Sequence, residues 1–219
     1  MYLIYRQDQQ SPLYIAPMVG KNENIFYMVK LRSMIVGAAE SGVDSTSTKD
    51  PRITPIGQFV RRYKLDEFTQ LWNVLRGDMS LVGPRPNVKR ETDLYTNEEK
   101  GLVSVKPGIT DLASIGFSDE NEILSNCEDP DIGYNQLIRP WKSRLGLIYI
   151  QKQSFFLDLK LIFLTIVAIC SREKALQGVY KTLISLNAPY DVIEVARRTN
   201  ELFPYPPPGS DCIVTSIQN

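Results

Sequence analysis

The chain has 219 residues, 43% of them hydrophobic and 23% charged, with 13 Gly and 14 Pro, which is the composition of a folded domain and excludes a disordered or fibrous chain. Lys plus Arg equals Asp plus Glu at 25 each, so no global field of one sign draws the molecule onto nucleic acid, and any basic site is local. Histidine is absent, which excludes Ser-His-Asp and Cys-His catalysis and every His-based metal site, and leaves proton transfer to carboxylates, Lys, Tyr or Cys.

In chain order, the opening MYLIYRQDQQSP holds too short an apolar run for a signal-peptide core. Residues 23 to 34, ENIFYMVKLRSM, are rich in aromatic and aliphatic residues and read as a strand. GAAESGVDSTSTKDPR then reads as a polar loop. Thr54 before Pro55 is a helix-start pair, and Ile56, Phe59, Val60 and Tyr63 keep helical spacing to about residue 63. A second helix is expected from Asp66, where Phe68, Leu71, Trp72, Val74 and Leu75 recur at three- and four-residue steps before Gly77. On that spacing Trp72 and Leu75 read as core, and Arg62 and Lys64 as solvated charges. GDMSLVGPRPNV reads as an irregular turn in which Pro84 and Pro86 restrict the backbone around Arg85.

NVKRETDLYTNEEKGLVSV reads as a polar helix and a short extended stretch ending at the Lys106, Pro107, Gly108 turn. Helices are expected over 135–144, 154–171 and 188–202, and the tail PYPPPGS as a polyproline-like extension. A spanning helix needs about 20 apolar residues, and the longest apolar run, Leu161 to Cys170, rises only about 15 Å. The segment FFLDLKLIFLTIVAIC therefore reads as a buried core helix, with a helix lying in a membrane interface as the alternative. Cys127, Cys170 and Cys212 are odd in number and widely spaced, which gives no disulfide framework and points to a reducing compartment.

Charge is blocked along the chain although it sums to zero. Residues 21 to 64 hold eight basic and four acidic residues, a local attraction for anions. Residues 107 to 138 hold seven acids and no base; without calcium-loop spacing they read as a solvated surface. Adjacent Asp66 and Glu67 at a helix start are common, because first-turn amides favour negative charge by about 0.3 to 1 kcal/mol. Their company is less common: Arg61 and Arg62 upstream, Arg85 in its proline-fixed turn, and Lys30 with Arg32 on the preceding strand. Cations around a carboxylate favour its ionised form and also hold phosphate oxygens. A carboxylate attacking phosphorus needs such neutralisation, from Arg, Lys and a magnesium ion.

The run PRITPIGQFVRRYKLDEFTQLWNVLRGDMSLVGPRP, followed by VKPGIT, resembles the signature of the bacterial sugar transferases, the monotopic phosphoglycosyl transferases. The likeness is dense over residues 17 to 113. It implies an α+β fold, a mostly helical compact domain around a small β-sheet with interfacial amphipathic helices. It also implies transfer of a sugar phosphate from a nucleotide diphosphate sugar to a polyprenyl (undecaprenyl) phosphate, initiating surface polysaccharide or glycoconjugate synthesis, with Mg2+ as cofactor. Carried over by residue, Asp66 is the nucleophile that forms a covalent phosphosugar intermediate and Glu67 its acid-base or metal-binding partner. The metal falls to Asp66 and Glu67, and Lys30, Arg32, Arg61 and Arg85 bind substrate. The expected place is the cytoplasmic face of the inner membrane, peripheral or monotopic.

Departures accompany the likeness. The family's opening membrane helix has no counterpart in residues 1 to 16, which read as a remnant of that region; a chain docking by other surfaces, or a non-catalytic pathway scaffold, is the alternative. Residues 17–171 then form the catalytic domain and 172–219 a helical extension with a Pro-rich tail. Ser114, Gly116 and Ser118 replace family Gln, Asn and Arg positions, and Gly146 replaces an Asp before Tyr149, so nucleotide or sugar recognition is expected to differ.

Overall fold

The computed structural model describes residues 1–38 and 50–216; most of the polar loop expected after the first strand, residues 39–49, lies outside the described residues. Helix α1, Tyr2–Asp8, is followed by strands β1, Leu13–Val19, and β2, Ile25–Leu31, which pair antiparallel with Leu13 opposite Leu31 and Val19 opposite Ile25. β2 is the expected strand. Its residues Phe26 and Met28 are buried with Met79 in a small core, and period-two alternation puts Lys30 on the same side, just past the end of that core.

Helix α2, Pro55–Arg62, begins as its sequence requires: Thr54 Oγ1 accepts the Gly57 N–H at 2.9 Å and Pro55 fills the first helical position. Gly57 lies against the chain leaving β2, where a Cβ would stand 1.8 Å from Ser33 O. The acidic pair does not open an α-helix as expected. Lys64 turns left-handed at φ 51°, and Leu65–Gln70 form a 3-10 turn before α3, Leu71–Arg76, which Gly77 stops at φ 82°. α3 also reverses the expected core: Trp72 and Leu75 are 57% and 81% exposed, while Gln70 and Asn73 are fully buried.

The stretch 77–88, expected as an irregular turn, contains strand β3, Ser80–Val82, which pairs parallel with β4, Gly108–Thr110. Three residues are too few to show alternation. Between them lie α4, Lys89–Thr92, and a 3-10 turn at Glu99–Ser104. After β4 come α5, Leu112–Gly116, α6, Glu120–Leu124, and α7, Pro130–Gly133. The long helices follow: α8, Arg139–Lys152, α9, Phe155–Cys170, α10, Arg172–Ser185, and α11, Tyr190–Arg197. The fold is α+β and mostly helical, and its sheet is two separate strand pairs.

α8 is entered through a π-turn at Tyr134–Ile138, and Pro140 explains it. Proline has no N–H for the carbonyl four residues back and its ring crowds that carbonyl. Gln136 O is instead satisfied by Tyr205 N–H from the tail at 3.0 Å, and Tyr205 stacks on Trp141 at 4.4 Å. The polyproline segment therefore folds back onto α8. The main core joins α5, α8, α9, α10 and α11 through Leu112, Trp141, Leu145, Leu161, Val179 and Val192. α9 packs into the core through Leu157, Leu161 and Leu164 and leaves Phe155, Phe156, Phe163, Ile166 and Ile169 exposed. Among the described residues no helix is long and apolar enough to cross a membrane.

Candidate active site

β2 meets β1 along one edge, and its other edge is completed by side chains. Asn73 donates to Tyr27 O at 2.8 Å and accepts from Val29 N at 3.0 Å. Thr69 Oγ1 lies 2.9 Å from Val29 O and 3.0 Å from Asp66 O, joining the strand to the turn that carries the acidic pair. These contacts set Lys30 beside Asp66 and Glu67. Arg85 arrives from the opposite side. Gly83 N–H donates to Thr110 O at 3.0 Å and Gly108 N–H to Pro84 O at 2.9 Å, so the Gly-Pro-Arg-Pro turn is anchored to β4. Arg85 Nη1 then donates to Glu67 Oε1 at 2.7 Å and to Ile109 O at 3.0 Å. Arg61 completes the cluster from the last turn of α2, its Nε donating to Ser33 Oγ at 2.9 Å.

The two carboxyls are driven apart in acid strength. Burial raises Asp66 above its ordinary value against the pull of Lys30, with the negative charge of Glu67 adding to the rise. Burial would raise Glu67 as well, but Arg85, with Lys64 and Lys30, holds it below the usual range. Burial and the nearby Arg85 bring the Lys30 ammonium down to about 8. Burial also lowers Arg61, whereas Glu67 raises Arg85. Neighbouring groups pushed in opposite directions divide the labour of a reactive site. Among the described residues no side chain donates a hydrogen bond to the Asp66 carboxylate, so its oxygens remain available while Glu67 is held by Arg85.

Lys30, Arg61, Asp66, Glu67 and Arg85 thus meet in one place, as the sequence suggested for their face. Arg32 does not join them. It is buried and forks onto Asp8 with contacts of 2.6 and 2.7 Å, and its Nε donates to Ser11 O at 2.7 Å. Its guanidinium fastens α1 to the end of β2. Asn73, Thr69 and Ser33, which position the site, were not singled out from the sequence; Asn73 lies off the apolar stripe of Phe68, Leu71, Trp72 and Leu75, so spacing gave no signal for it.

Among the described residues no three acidic or thiol groups gather into an all-protein cage. Asp66 and the second oxygen of Glu67 suit the sparser mode in which Mg2+ is held by one or two carboxylates together with substrate phosphates.

The family model of the bacterial sugar transferases matches residues 1–172. The chain belongs to that family. This bacterial sugar transferase is 36% identical over 172 residues to the galactosyl transferase CpsE of Streptococcus agalactiae, covering 74% of this chain and 35% of that protein. It is 33% identical over 184 residues to the UDP-galactose-lipid carrier transferase of Erwinia amylovora, covering 77% of this chain and 35% of the relative. It is 38% identical over 172 residues to the undecaprenyl-phosphate glucose phosphotransferase of Komagataeibacter xylinus, covering 75% and 30%. The chain spans about a third of the length of these curated relatives. The match begins at residue 1, upstream of the densest likeness, and ends at the start of α10.

Proposed function

We propose that this sugar transferase moves a sugar phosphate from a nucleotide diphosphate sugar to a polyprenyl phosphate in two displacements on Asp66. In the first, an Asp66 carboxylate oxygen attacks the phosphorus that bears the sugar. The bond from that phosphorus to the oxygen bridging the two phosphates breaks, and the nucleoside monophosphate leaves. In the second, a phosphate oxygen of the lipid attacks the same phosphorus and releases Asp66. Splitting one difficult transfer into two is the benefit of a covalent nucleophile.

The observation that carries this reading is the asymmetry of the pair: Glu67 is engaged by Arg85 at 2.7 Å, while the Asp66 carboxylate is unengaged with Lys30, Arg61 and Arg85 around it. Those cations offset the negative charge that a carboxylate and a diphosphate bring together, which is most of what phosphoryl transfer asks of a protein. Asp66 and Glu67 would hold Mg2+, which when bound supplies further charge neutralisation on the phosphates. Glu67 keeps Arg85 aimed at the site. The relatives support the substrate classes: one is named for a UDP-sugar and a lipid carrier, another for undecaprenyl phosphate.

The lipid acceptor calls for a membrane surface, and the site is flanked by exposed apolar side chains on the same run of chain: Phe59 and Tyr63 on α2, Phe68 in the 3-10 turn, and Trp72 and Leu75 on α3. Aromatic and aliphatic groups so placed suit peripheral docking at the headgroup boundary, on the cytoplasmic face in this reading. The reaction then opens the assembly of a surface glycan. The test is exchange of labelled UMP into UDP-galactose or UDP-glucose without lipid. The chain is expected to catalyse it and Asp66→Asn to abolish it with the fold intact; exchange that survives in Asp66→Asn removes the mechanism.

A further inference from the structure

Beside Arg85, on the side of β4 and α8, lies a small open cleft. Arg85, Asn87, Tyr95, Asp111, Lys142 and Ser143 give it its polar lining. Most of these groups are paired within the protein. Asn87 Nδ2 donates to Tyr95 Oη at 2.7 Å, Lys142 Nζ to Glu120 at 2.6 Å, and Ser143 Oγ to Glu99 Oε1 at 2.7 Å. Asp111 is the exception. It is 2% exposed, and Ser114 gives both of its donors, N–H at 2.7 Å and Oγ–H at 2.6 Å, to Oδ1. Among the described residues nothing donates to Oδ2.

In a residue otherwise buried, Oδ2 is the oxygen left to the cleft without a protein donor, an acceptor open to a ligand hydroxyl. Burial accordingly pushes the Asp111 acid above its ordinary value, against Lys142 and Arg85. The charges around the cleft select the ligand. Arg85, Lys142 and Arg139, the cations that line it, are each held by a carboxylate, Glu67, Glu120 and Glu99, so the group left open is the Asp111 acceptor. That acceptor suits a neutral group rich in hydroxyl donors. Arg85 belongs both to this cleft and to the Asp66 site, so such a group would sit next to bound phosphates.

We propose that the cleft seats the hydroxyl-bearing ring adjoining the donor diphosphate, and that Asp111 Oδ2 accepts a hydroxyl of that ring. This rests on the reading of the chain as a nucleotide-sugar transferase and adds a recognition residue to it. Ser114, one of the departures from the family pattern, takes part by holding Oδ1 and so leaving Oδ2 as the acceptor. The ring is either the transferred sugar or the ribose, since each adjoins the diphosphate, and the two are separable by experiment.

Asp111→Asn keeps an Asx cap on Ser114 and turns the second oxygen into an amide donor. Asp111→Ser also caps and removes the group altogether. Calorimetric titration of the full chain with UDP-galactose, UDP-glucose and UMP reads binding without turnover, and UMP exchange reads KM and kcat. Both variants are expected to bind the UDP-sugars about ten- to hundredfold more weakly, with KM raised, kcat little changed and thermal unfolding near that of the unsubstituted chain. UMP affinity that holds while UDP-sugar affinity falls assigns the ring to the sugar; equal loss for UMP assigns it to the ribose. Unchanged UDP-sugar affinity in a folded Asp111→Asn or Asp111→Ser chain overturns the assignment, as does failure of the unsubstituted chain to bind all three. Binding that depends on Asp111 without any exchange would instead sink the covalent mechanism and keep the cleft.

Discussion

Asp66 and Glu67 are adjacent in the chain and opposite in acid strength because only one of them meets the Arg85 guanidinium. The consequence is a pH profile. On the proposed mechanism Asp66 attacks when ionised, and its raised value is expected to place the acid limb of kcat/KM above the ordinary aspartate range. Lys30, proposed to hold phosphate while charged, has its value near 8 and loses that charge as the pH passes through about 8, so activity is expected to fall there. Lys30→Arg stays charged throughout and is expected to carry the falling limb to more alkaline pH while the acid limb stays; a falling limb that does not move removes Lys30 from the role. At this scale the sequence was informative where motif residues sit together and silent on partners. Alternation put Lys30 and Arg32 on one side of β2, but nothing in a period of two says that Asp8, from α1, claims Arg32. Trp72 and Leu75 show a related limit. Helical spacing reveals a stripe, not the direction it faces, and here Asn73 and Thr69 turn to β2 because a strand edge needs hydrogen-bond partners.

Elements were legible where a cap pair or an unbroken apolar run marked them, and α10, 14 residues long behind a Ser171 cap, was not singled out because its apolar residues are interleaved with charges. Thr54 and Pro55 announced α2, and the apolar run 155–170 announced α9. β3, β4 and the 3-10 turn carrying Asp66 were not, since three to six residues hold no full period and their conformation is set by what they pack on. The π-turn needed knowledge of the returning tail as well as of Pro140. The tightest element-scale contact is Gly57 against Ser33, and it fixes where α2 delivers Arg61. Gly57→Ala is expected to lower stability by about 3 kcal/mol, at the high end for overpacking because a backbone carbonyl must move, and to cut exchange activity in the fraction that stays folded. Thr54→Ala, which removes only a cap, is expected to cost about 1 kcal/mol. Urea unfolding measures both; equal effects of the two substitutions would mean that α2 is not wedged against Ser33.

On the scale of the whole molecule, a helical core built on α8 to α11 supports a thinner layer of β1, β2, α2 and α3 that carries the candidate site and exposes Phe59, Trp72 and Leu75. Net charge and composition could not show this, because the exposed residues are the same types that fill cores. Burying a large apolar side chain is worth about 1.5–3 kcal/mol, so Trp72→Glu with Leu75→Glu is expected to reduce flotation with anionic phospholipid vesicles more than tenfold. Exchange with soluble UMP should persist in that variant while transfer to a vesicle-borne polyprenyl phosphate is lost; undiminished flotation would place the membrane contact elsewhere. Both consequences presuppose the event at Asp66, and that event leaves mass behind. Intact-protein and peptide mass spectrometry of the chain quenched in acid after incubation with UDP-galactose or UDP-glucose should show one added hexose phosphate, on the peptide containing Asp66, disappearing when UMP is added and absent from Asp66→Asn. Sustained exchange with no adduct at residue 66, or with the adduct on another residue, would contradict the account.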